Sequence, residues 1–188
     1  MIKIQQNYSL KPSNSFGLES VANTFIETDD ISELQSFLTT HPFNSTSCLL
    51  LGTGSNLLLN SPFIDTVIHP TSQEITLLEE REDAVLVQCG SGKDWDEFVA
   101  WTVNHKYGGL ENLSLIPGSV GAAPIQNIGA YGAEASGSIE SVGVLDLITL
   151  KKFRLTKKEC HFGYRDSIFK NPCHKSWLVW DVCFLLGK

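Results

Sequence analysis

Residues 110–134 read LENLSLIPGSVGAAPIQNIGAYGAE, a stretch in which glycine, alanine and proline leave little side-chain bulk around the backbone. Glycine accepts positive φ angles, and small residues let another molecule approach the chain closely. Gln126, Asn127 and Tyr131 supply polar groups for orienting such a molecule. We predict a ligand site here. A tightly packed turn region without a ligand is the alternative, because glycine patterns alone are weak evidence.

A second glycine-containing loop, GTGSN at residues 52–56, follows a short apolar run. Gly52 and Gly54 allow consecutive backbone amides to point inward, and the side chains of Thr53, Ser55 and Asn56 add donors. Such a group of donors is typical of a phosphate or diphosphate site. The loop is neither the G-x-G-x-x-G fingerprint of dinucleotide-binding folds nor a Walker motif, which contains a lysine. A plain turn between two strands is the alternative.

The composition is that of an ordinary globular protein, with 188 residues, 42% of them hydrophobic and 19% charged. This length suits one domain, or two small ones that share a core. The net charge of −7 argues against nucleic acid or an acidic membrane surface as a partner. The amino terminus has no apolar signal core, and no apolar run reaches the ~18 residues of a membrane span. We therefore predict a cytoplasmic location.

The five cysteines are scattered without a repeated spacing, which is typical of reduced thiols. Cys160-His161 and Cys173-His174 invite a metal-site interpretation. However, adjacent side chains usually point apart, whereas zinc sites use spaced pairs such as C-x-x-C. We therefore predict no metal.

Apolar patterning predicts two helices. Residues 31–38 repeat at helical spacing, with Asp29, Asp30 or Ser32 as the capping residue, and a second helix begins after Asp94 and continues to residue 105. The predicted buried stripe of the second helix is Trp95, Phe98, Val99, Thr102 and Val103.

Short apolar or alternating runs predict strands at residues 48–52, 56–59, 66–69, 74–78, 84–88, 141–150, 152–155 and 176–186. Residues 79–83 and 149–151 are predicted hairpin loops. Thr156 and Glu159 have the spacing of a capping box, which predicts a short turn of helix. The segment HPTS, residues 69–72, marks a predicted boundary between a first lobe, residues 1–70, and a second lobe, residues 71–188.

Arg165, in the segment FGYRDSIFK at residues 162–170, is the side chain most suited to a catalytic role. Its guanidinium stays cationic and offers a planar fork to a carboxylate or a developing enolate. Asp166 next to it supports a second interpretation, a structural ion pair. The local sequence leaves both open.

Four segments together resemble one family. These are SLKPSNSFG at residues 9–17, GTGSNLL at 52–58, GLENLSLIPGSVGAAPIQNIGAYG at 109–132 and FGYRDSIFK at 162–170. In this order and near these separations they resemble the UDP-N-acetylenolpyruvoylglucosamine reductases, also called UDP-N-acetylmuramate dehydrogenases, of bacterial peptidoglycan synthesis. The resemblance covers essentially the whole chain, and the motifs together are far more specific than one glycine loop.

The resemblance implies an α+β fold, the two-lobed FAD-binding fold of the vanillyl-alcohol-oxidase and p-cresol-methylhydroxylase type. It implies noncovalent FAD, NADPH as the hydride donor and UDP-N-acetylglucosamine-enolpyruvate as the substrate, which becomes UDP-N-acetylmuramate. It also implies Arg165 as a catalytic residue that stabilises developing negative charge. The implied FAD-binding residues are Gly52, Thr53, Gly54, Ser55, Asn56, Leu57, Ile116, Pro117, Gly118, Ser119, Gly121, Ala122, Gln126, Asn127, Gly129, Ala130 and Tyr131.

The sequence also departs from the family. It ends at Lys188, where the second lobe should close, so we expect the family's third, substrate-binding domain to be absent, with its serine proton donor and catalytic carboxylate. The 188-residue chain alone should then not turn over the substrate. The alternative to a reductase is a flavin-binding module without turnover, or a subunit that needs a second chain.

Overall fold

The computed structural model describes residues 1–188. It contains two α-helices, α1 (Ile31–Thr40) and α2 (Trp95–Asn104), with short 3-10 turns between elements. The strands are β1 (Lys3–Ser9), β2 (Val21–Thr28), β3 (Cys48–Leu50), β4 (Phe63–Pro70), β5 (Ile75–Glu80), β6 (Ala84–Gly90), β7 (Gly129–Ala130), β8 (Ala133–Glu134), β9 (Ile139–Asp146), β10 (Lys152–Thr156) and β11 (Trp177–Gly187). None of the helices has the length and hydrophobicity needed to cross a lipid bilayer.

The strands form two main sheets. The first has the order β1-β2-β4-β3, in which β4 runs parallel to both of its neighbours and β1 is antiparallel to β2. The second has the order β10-β9-β11-β6-β5 and is antiparallel throughout. β11 lies at its centre and is largely buried, which agrees with its long apolar sequence.

Helix α1 packs between the two sheets. Its buried residues Leu34 and Leu38 belong to one apolar cluster with Ile68 of the first sheet and Leu145 and Leu178 of the second. The side chain of Asp30 caps the helix by accepting hydrogen bonds from the amides of residues 32 and 33, at 2.7 and 3.2 Å. One apolar helix face thus joins the two halves of the chain.

Helix α2 packs on the second sheet. Trp95 and Phe98 are fully buried against Phe184 of β11, and Trp95 Nε1 donates to the carbonyl of Leu113 at 2.7 Å. This bond fixes the start of the glycine-rich stretch to the helix. The predicted stripe is confirmed except for Val103, which is 49% exposed because it turns away from the sheet.

Most predicted elements are confirmed, with three corrections. Residues 56–59 are not a strand: no neighbouring strand pairs with them, and Leu58 is exposed. The predicted strand 141–150 ends at Asp146, whose carboxylate accepts from the Ile148 amide and the Thr149 hydroxyl and so stabilises a turn. The predicted hairpin loop 79–83 is shorter, because β5 continues to Glu80. Thr156 and Glu159 form the reciprocal capping bonds, and the Cys160 amide donates to the Thr156 carbonyl at 3.1 Å, which closes the single predicted turn.

Two strands near the amino terminus, β1 and β2, are absent from the sequence-based prediction. β1 has the sequence KIQQNYS and lies at the sheet edge with most side chains exposed, so it lacks apolar alternation. Its pairing with β2, from Lys3↔Glu27 to Ser9↔Val21, makes it a strand.

Candidate functional site

The glycine-rich stretch lies against the segment that leads into α2. The amide of Val120 donates to the Lys93 carbonyl at 2.9 Å, and the Trp95 amide donates to the Gly118 carbonyl at 3.0 Å. A Cβ at Gly121 would lie 2.5 Å from the Cβ of Ser91. The small residue at position 121 is therefore required by packing inside the protein itself.

The GTGSN loop lies against the early segment at residues 9–17. Gly54 has a φ of +70°, and a Cβ on it would lie 1.9 Å from the backbone carbonyl oxygen of Ser13. Asn14 holds that segment in place through bonds with the backbone of Leu10 and Leu18, at 2.8 to 3.1 Å. Gly54 is thus required for the loop to pack on its neighbour.

The structure brings the two glycine-containing segments together. Ser55 Oγ donates to the Pro117 carbonyl at 2.9 Å, and Asn56 Nδ2 donates to Gln126 Oε1 at 2.9 Å. Across the same gap, a Cβ on Gly52 would lie 2.8 Å from Ser119 Oγ. Side-chain bonds therefore join two loops that are far apart in the sequence.

A cavity of about 240 Å³ lies between these loops; we call it the loop cavity. No backbone amide of residues 52–57 donates a hydrogen bond within the protein, and neither do those of Gly118 and Ser119. Unpaired amides in residues that line a cavity are suited to an anion. The predicted residues among its lining are Gly52, Thr53, Gly54, Ser55, Asn56, Leu57, Pro117, Gly118, Ser119, Ala122 and Gln126.

A second cavity of about 430 Å³, the sheet cavity, adjoins the first and shares five lining residues with it, Leu50, Gly52, Ser119, Ala122 and Ile125. Its walls are mainly apolar and include Trp177 and Phe169. Gly121 is the other predicted residue in this lining. The remaining lining residues are Ser45, Cys48, Leu49, Leu51, Pro70, Ser91, His174, Lys175, Leu178 and Val179.

Ser91 is a polar feature of the sheet cavity that sequence reasoning missed. The residue is 1% exposed, and its hydroxyl has no hydrogen-bond partner. A buried hydroxyl without a partner is costly, which points to a polar ligand atom as its partner. No local pattern in the sequence marks Ser91, because the cavity forms only when the two sheets meet.

Cys48 also lines the sheet cavity. Burial raises the pKa of its thiol to about 12. The thiol therefore stays protonated near neutral pH and offers no thiolate for covalent attachment of a ligand.

A third cavity of about 490 Å³ lies between two hairpin tips, and we call it the hairpin cavity. β7 and β8 are joined by Tyr131 and Gly132, both with positive φ, as a two-residue type I′ turn requires. The second tip carries Tyr164 and Arg165. The predicted residues Gly129, Ala130 and Tyr131 thus lie beside Arg165.

Arg165 is held by the glycine-rich stretch and not by Asp166. Its Nη2 donates to the Gly129 carbonyl at 2.5 Å, and its φ of +52° places it in a region unusual for arginine. The carboxylate of Asp166 instead lies 4.0 Å from Lys170 Nζ. The structural ion pair between Arg165 and Asp166 is therefore not formed, and the guanidinium keeps unused donors.

Two predicted residues line none of these cavities. Asn127 is 1% exposed, and its amide group bonds with Glu134, Gly163 and the Ser136 amide at 2.9 to 3.0 Å. It therefore connects the two hairpins internally. Ile116 is partly buried and packs on the large apolar cluster that contains Trp95, Phe98 and Phe184.

A family model described as an FAD binding domain matches residues 22–147. The chain is 40% identical over 187 residues to the UDP-N-acetylenolpyruvoylglucosamine reductase of Flavobacterium johnsoniae, covering 100% of this chain and 55% of that protein. It is 42% identical to the same enzyme of Bdellovibrio bacteriovorus, covering 100% and 56%. The crystal structure of UDP-N-acetylenolpyruvylglucosamine reductase from Thermus caldophilus superposes with a TM-score of 0.78 at 24% identity, over 99% of this chain and 63% of that one.

These comparisons confirm the predicted fold class and resemblance. The fold is the α+β, two-lobed FAD-binding fold of the vanillyl-alcohol-oxidase type. The chain spans about half the length of the curated relatives that it matches. It belongs to the FAD-binding domain family and is similar along its whole length to UDP-N-acetylenolpyruvoylglucosamine reductases.

Proposed function

We propose that this chain binds FAD noncovalently in the loop and sheet cavities. The observation that carries the proposal is the loop cavity, which is lined by residues 52–57, whose backbone amides are unpaired, and by Pro117 and Gly118. Residues 52–57, 118 and 119 would hold the diphosphate of FAD. The adenosine half would enter the sheet cavity, whose apolar walls suit a purine ring and whose unpartnered Ser91 hydroxyl suits one of its polar atoms.

The flavin half would extend toward the hairpin cavity. Ile116, Gln126, Asn127, Gly129, Ala130 and Tyr131 belong to this part of the proposal, Asn127 by holding the hairpins rather than by contact. Their segment provides small residues and exposed backbone beside Arg165. We keep the division into lobes at residue 70 as a prediction, which the two separate sheets support.

We further infer that the complete natural protein is an NADPH-dependent reductase of peptidoglycan precursor synthesis. Its substrate would be UDP-N-acetylglucosamine-enolpyruvate and its product UDP-N-acetylmuramate. The names of the relatives and the FAD-binding family match support this activity. When bound, FAD would supply the hydride chemistry. The guanidinium of Arg165, oriented by the Gly129 carbonyl, would stabilise negative charge that develops on the substrate.

The visible spectrum of the purified chain tests FAD binding. We expect a yellow protein, or uptake of added FAD with quenched flavin fluorescence, and release of all flavin on denaturation. A colourless chain that fails to take up FAD would overturn the proposal. Flavin retained after denaturation would contradict noncovalent binding.

Turnover distinguishes a reductase from a flavin-binding module or a subunit that needs a second chain. NADPH consumption should depend on the enolpyruvyl substrate when the complete natural protein is measured without oxygen. FAD binding without substrate-dependent NADPH consumption would favour the module.

Arg165→Lys tests the proposed catalytic residue in the complete natural protein. An ammonium cannot reproduce the planar fork of the guanidinium, so reoxidation of reduced flavin by the enolpyruvyl substrate should slow by about 10²–10³-fold. FAD should stay bound, because Arg165 lines neither the loop cavity nor the sheet cavity, where the diphosphate and the adenosine half would lie. Stopped-flow absorbance measures the rate of flavin reoxidation. If Arg165→Lys is reoxidised as fast as the parent, Arg165 has a structural role only.

A further inference from the structure

Lys170 lies where the arginine segment meets the glycine-rich stretch. It ends the short 3-10 turn Ile168–Lys170, which is capped by Ser167. The hydroxyl of Ser167 donates to the Ile125 carbonyl at 2.6 Å and accepts from the Phe169 amide at 3.3 Å. The backbone that carries Lys170 is therefore fixed to the wall of the loop cavity.

Lys170 is the one charged residue that lines the loop cavity. Its Nζ donates to the Arg165 carbonyl at 2.9 Å, and the nearest carboxylate, of Asp166, lies 4.0 Å away. An ammonium group has three donors, so donors remain after the bond to Arg165. The side chain is 49% exposed, which leaves it free to turn its ammonium toward the cavity.

Binding of a diphosphate to this molecule should require a positive charge as well as neutral hydrogen-bond donors. The net charge of the chain is −7, so the electrostatic field of the whole chain disfavours an anion. The unpaired amides of residues 52–57 supply partial positive charge, and one full positive charge at the cavity wall would add a charge-assisted hydrogen bond.

We propose that the ammonium of Lys170 pairs with the diphosphate of the bound cofactor while it still holds the Arg165 carbonyl. This inference rests on the proposed FAD binding. Lys170 then has two roles. It contributes directly to affinity, and it holds the backbone of Arg165, whose φ is +52°, through the bond to the Arg165 carbonyl. Occupation of the diphosphate site and placement of the guanidinium are linked through one side chain.

The test compares Lys170→Met and Lys170→Arg with the control Lys152→Met, which removes an exposed lysine on β10 that lines none of the cavities described. Dissociation constants are measured by flavin fluorescence at low and high salt. Lys170→Met should weaken FAD binding by about 10- to 100-fold, the range for losing one charge-assisted hydrogen bond. It should also reduce the salt dependence, because one ionic contact is lost. Lys170→Arg should retain most of the affinity, and Lys152→Met should equal the parent.

Two parts of FAD, ADP and riboflavin, allow the contributions of the diphosphate and of the flavin ring to affinity to be measured separately. ADP should lose affinity for Lys170→Met as FAD does, whereas riboflavin, which has no phosphate, should bind equally to parent and variant. Circular dichroism confirms that each variant is folded. If folded Lys170→Met binds FAD as tightly as the parent, or loses as much affinity for riboflavin as for FAD, the role of Lys170 is overturned while the proposed function stands. Failure of the parent to bind FAD would instead overturn the proposed function as well.

Discussion

Two single residues, Gly54 and Ser91, shape the loop cavity and the sheet cavity. Gly54 allows the GTGSN loop to approach Ser13 within a distance that no side chain permits. Ser91 places a hydroxyl without a partner in the sheet cavity. One residue determines the loop's conformation, and the other provides a polar contact for a ligand.

Gly54→Ala should destabilise the chain strongly. The added Cβ would meet the Ser13 carbonyl at 1.9 Å and also disfavour the φ of +70°. Gly17→Ala is the matched control, because Gly17 has a φ of +61° with nothing within 4 Å of the added Cβ. Gly17→Ala should reduce the free energy of unfolding by only about 1–2 kcal/mol, which is the conformational penalty of a positive φ in alanine. Urea denaturation measures both, and equal losses would show that the contact with Ser13 is unimportant.

Ser91→Ala should stabilise the chain without FAD and weaken FAD binding. Removing a buried hydroxyl that has no partner relieves part of a cost of about 1–3 kcal/mol. The FAD-induced rise in melting temperature should shrink, because one hydrogen bond to the ligand is lost. Thermal denaturation with and without FAD measures both effects.

The matched control is Ser20→Ala, since Ser20 is also buried and its hydroxyl has no partner, yet it lines none of the cavities described. It should stabilise the chain similarly and leave the FAD effect unchanged. The same change in FAD effect for both variants would contradict a ligand contact at Ser91.

Helix α1 is the element that determines how the sheets meet. Its apolar face belongs to one buried cluster with Ile68 of the first sheet and Leu178 of the second, and Gln35 Nε2 donates to the Leu150 carbonyl at 2.7 Å. Because the sheet cavity lies between the sheets, its shape depends on this helix.

Leu34→Ala tests that dependence. Truncating a fully buried leucine should reduce the free energy of unfolding by about 2–5 kcal/mol. FAD affinity should fall too, because the cavity between the sheets loosens. Ser36→Ala, on the exposed face of α1, is the control and should change stability by less than about 0.5 kcal/mol. Chemical denaturation and FAD titration measure both; unchanged FAD affinity in folded Leu34→Ala would show that the cavity does not depend on α1.

The whole molecule keeps its five cysteines as free thiols, and Cys173 is the exposed one. Burial raises the pKa of Cys89 and of Cys160 from 9.0 to about 12. In the unfolded chain these thiols ionise near the ordinary value. Their contribution to stability is therefore complete below about pH 8.5 and is lost as the pH rises toward 12.

We expect iodoacetamide at pH 8 to label Cys173 rapidly in the native chain and all five cysteines in urea. The midpoint of urea unfolding should also fall between pH 8 and pH 10. Mass spectrometry counts the adducts. Rapid native labelling of Cys89 would show that the sheets open readily, and Cys89→Ala should reduce the alkaline loss of stability.

Sequence patterns alone determined the features that arise locally. Helical spacing predicted α1 and α2, and the two glycine-containing loops predicted an anion site and a small-residue wall, because turns and amphipathic faces are encoded by neighbouring residues. The motifs together also indicated the FAD-binding family, which the comparisons confirm. The individual FAD-contacting residues remain predictions.

Tertiary structure decided which distant groups meet. β1 is a strand because β2 pairs with it, and residues 56–59 are not because no strand does. Arg165 bonds to Gly129 instead of Asp166, Ser91 lies in a cavity, and Lys170 lies on the wall of the loop cavity. These contacts join residues far apart in the sequence, so they depend on long-range strand pairing and core packing, which local patterns do not encode.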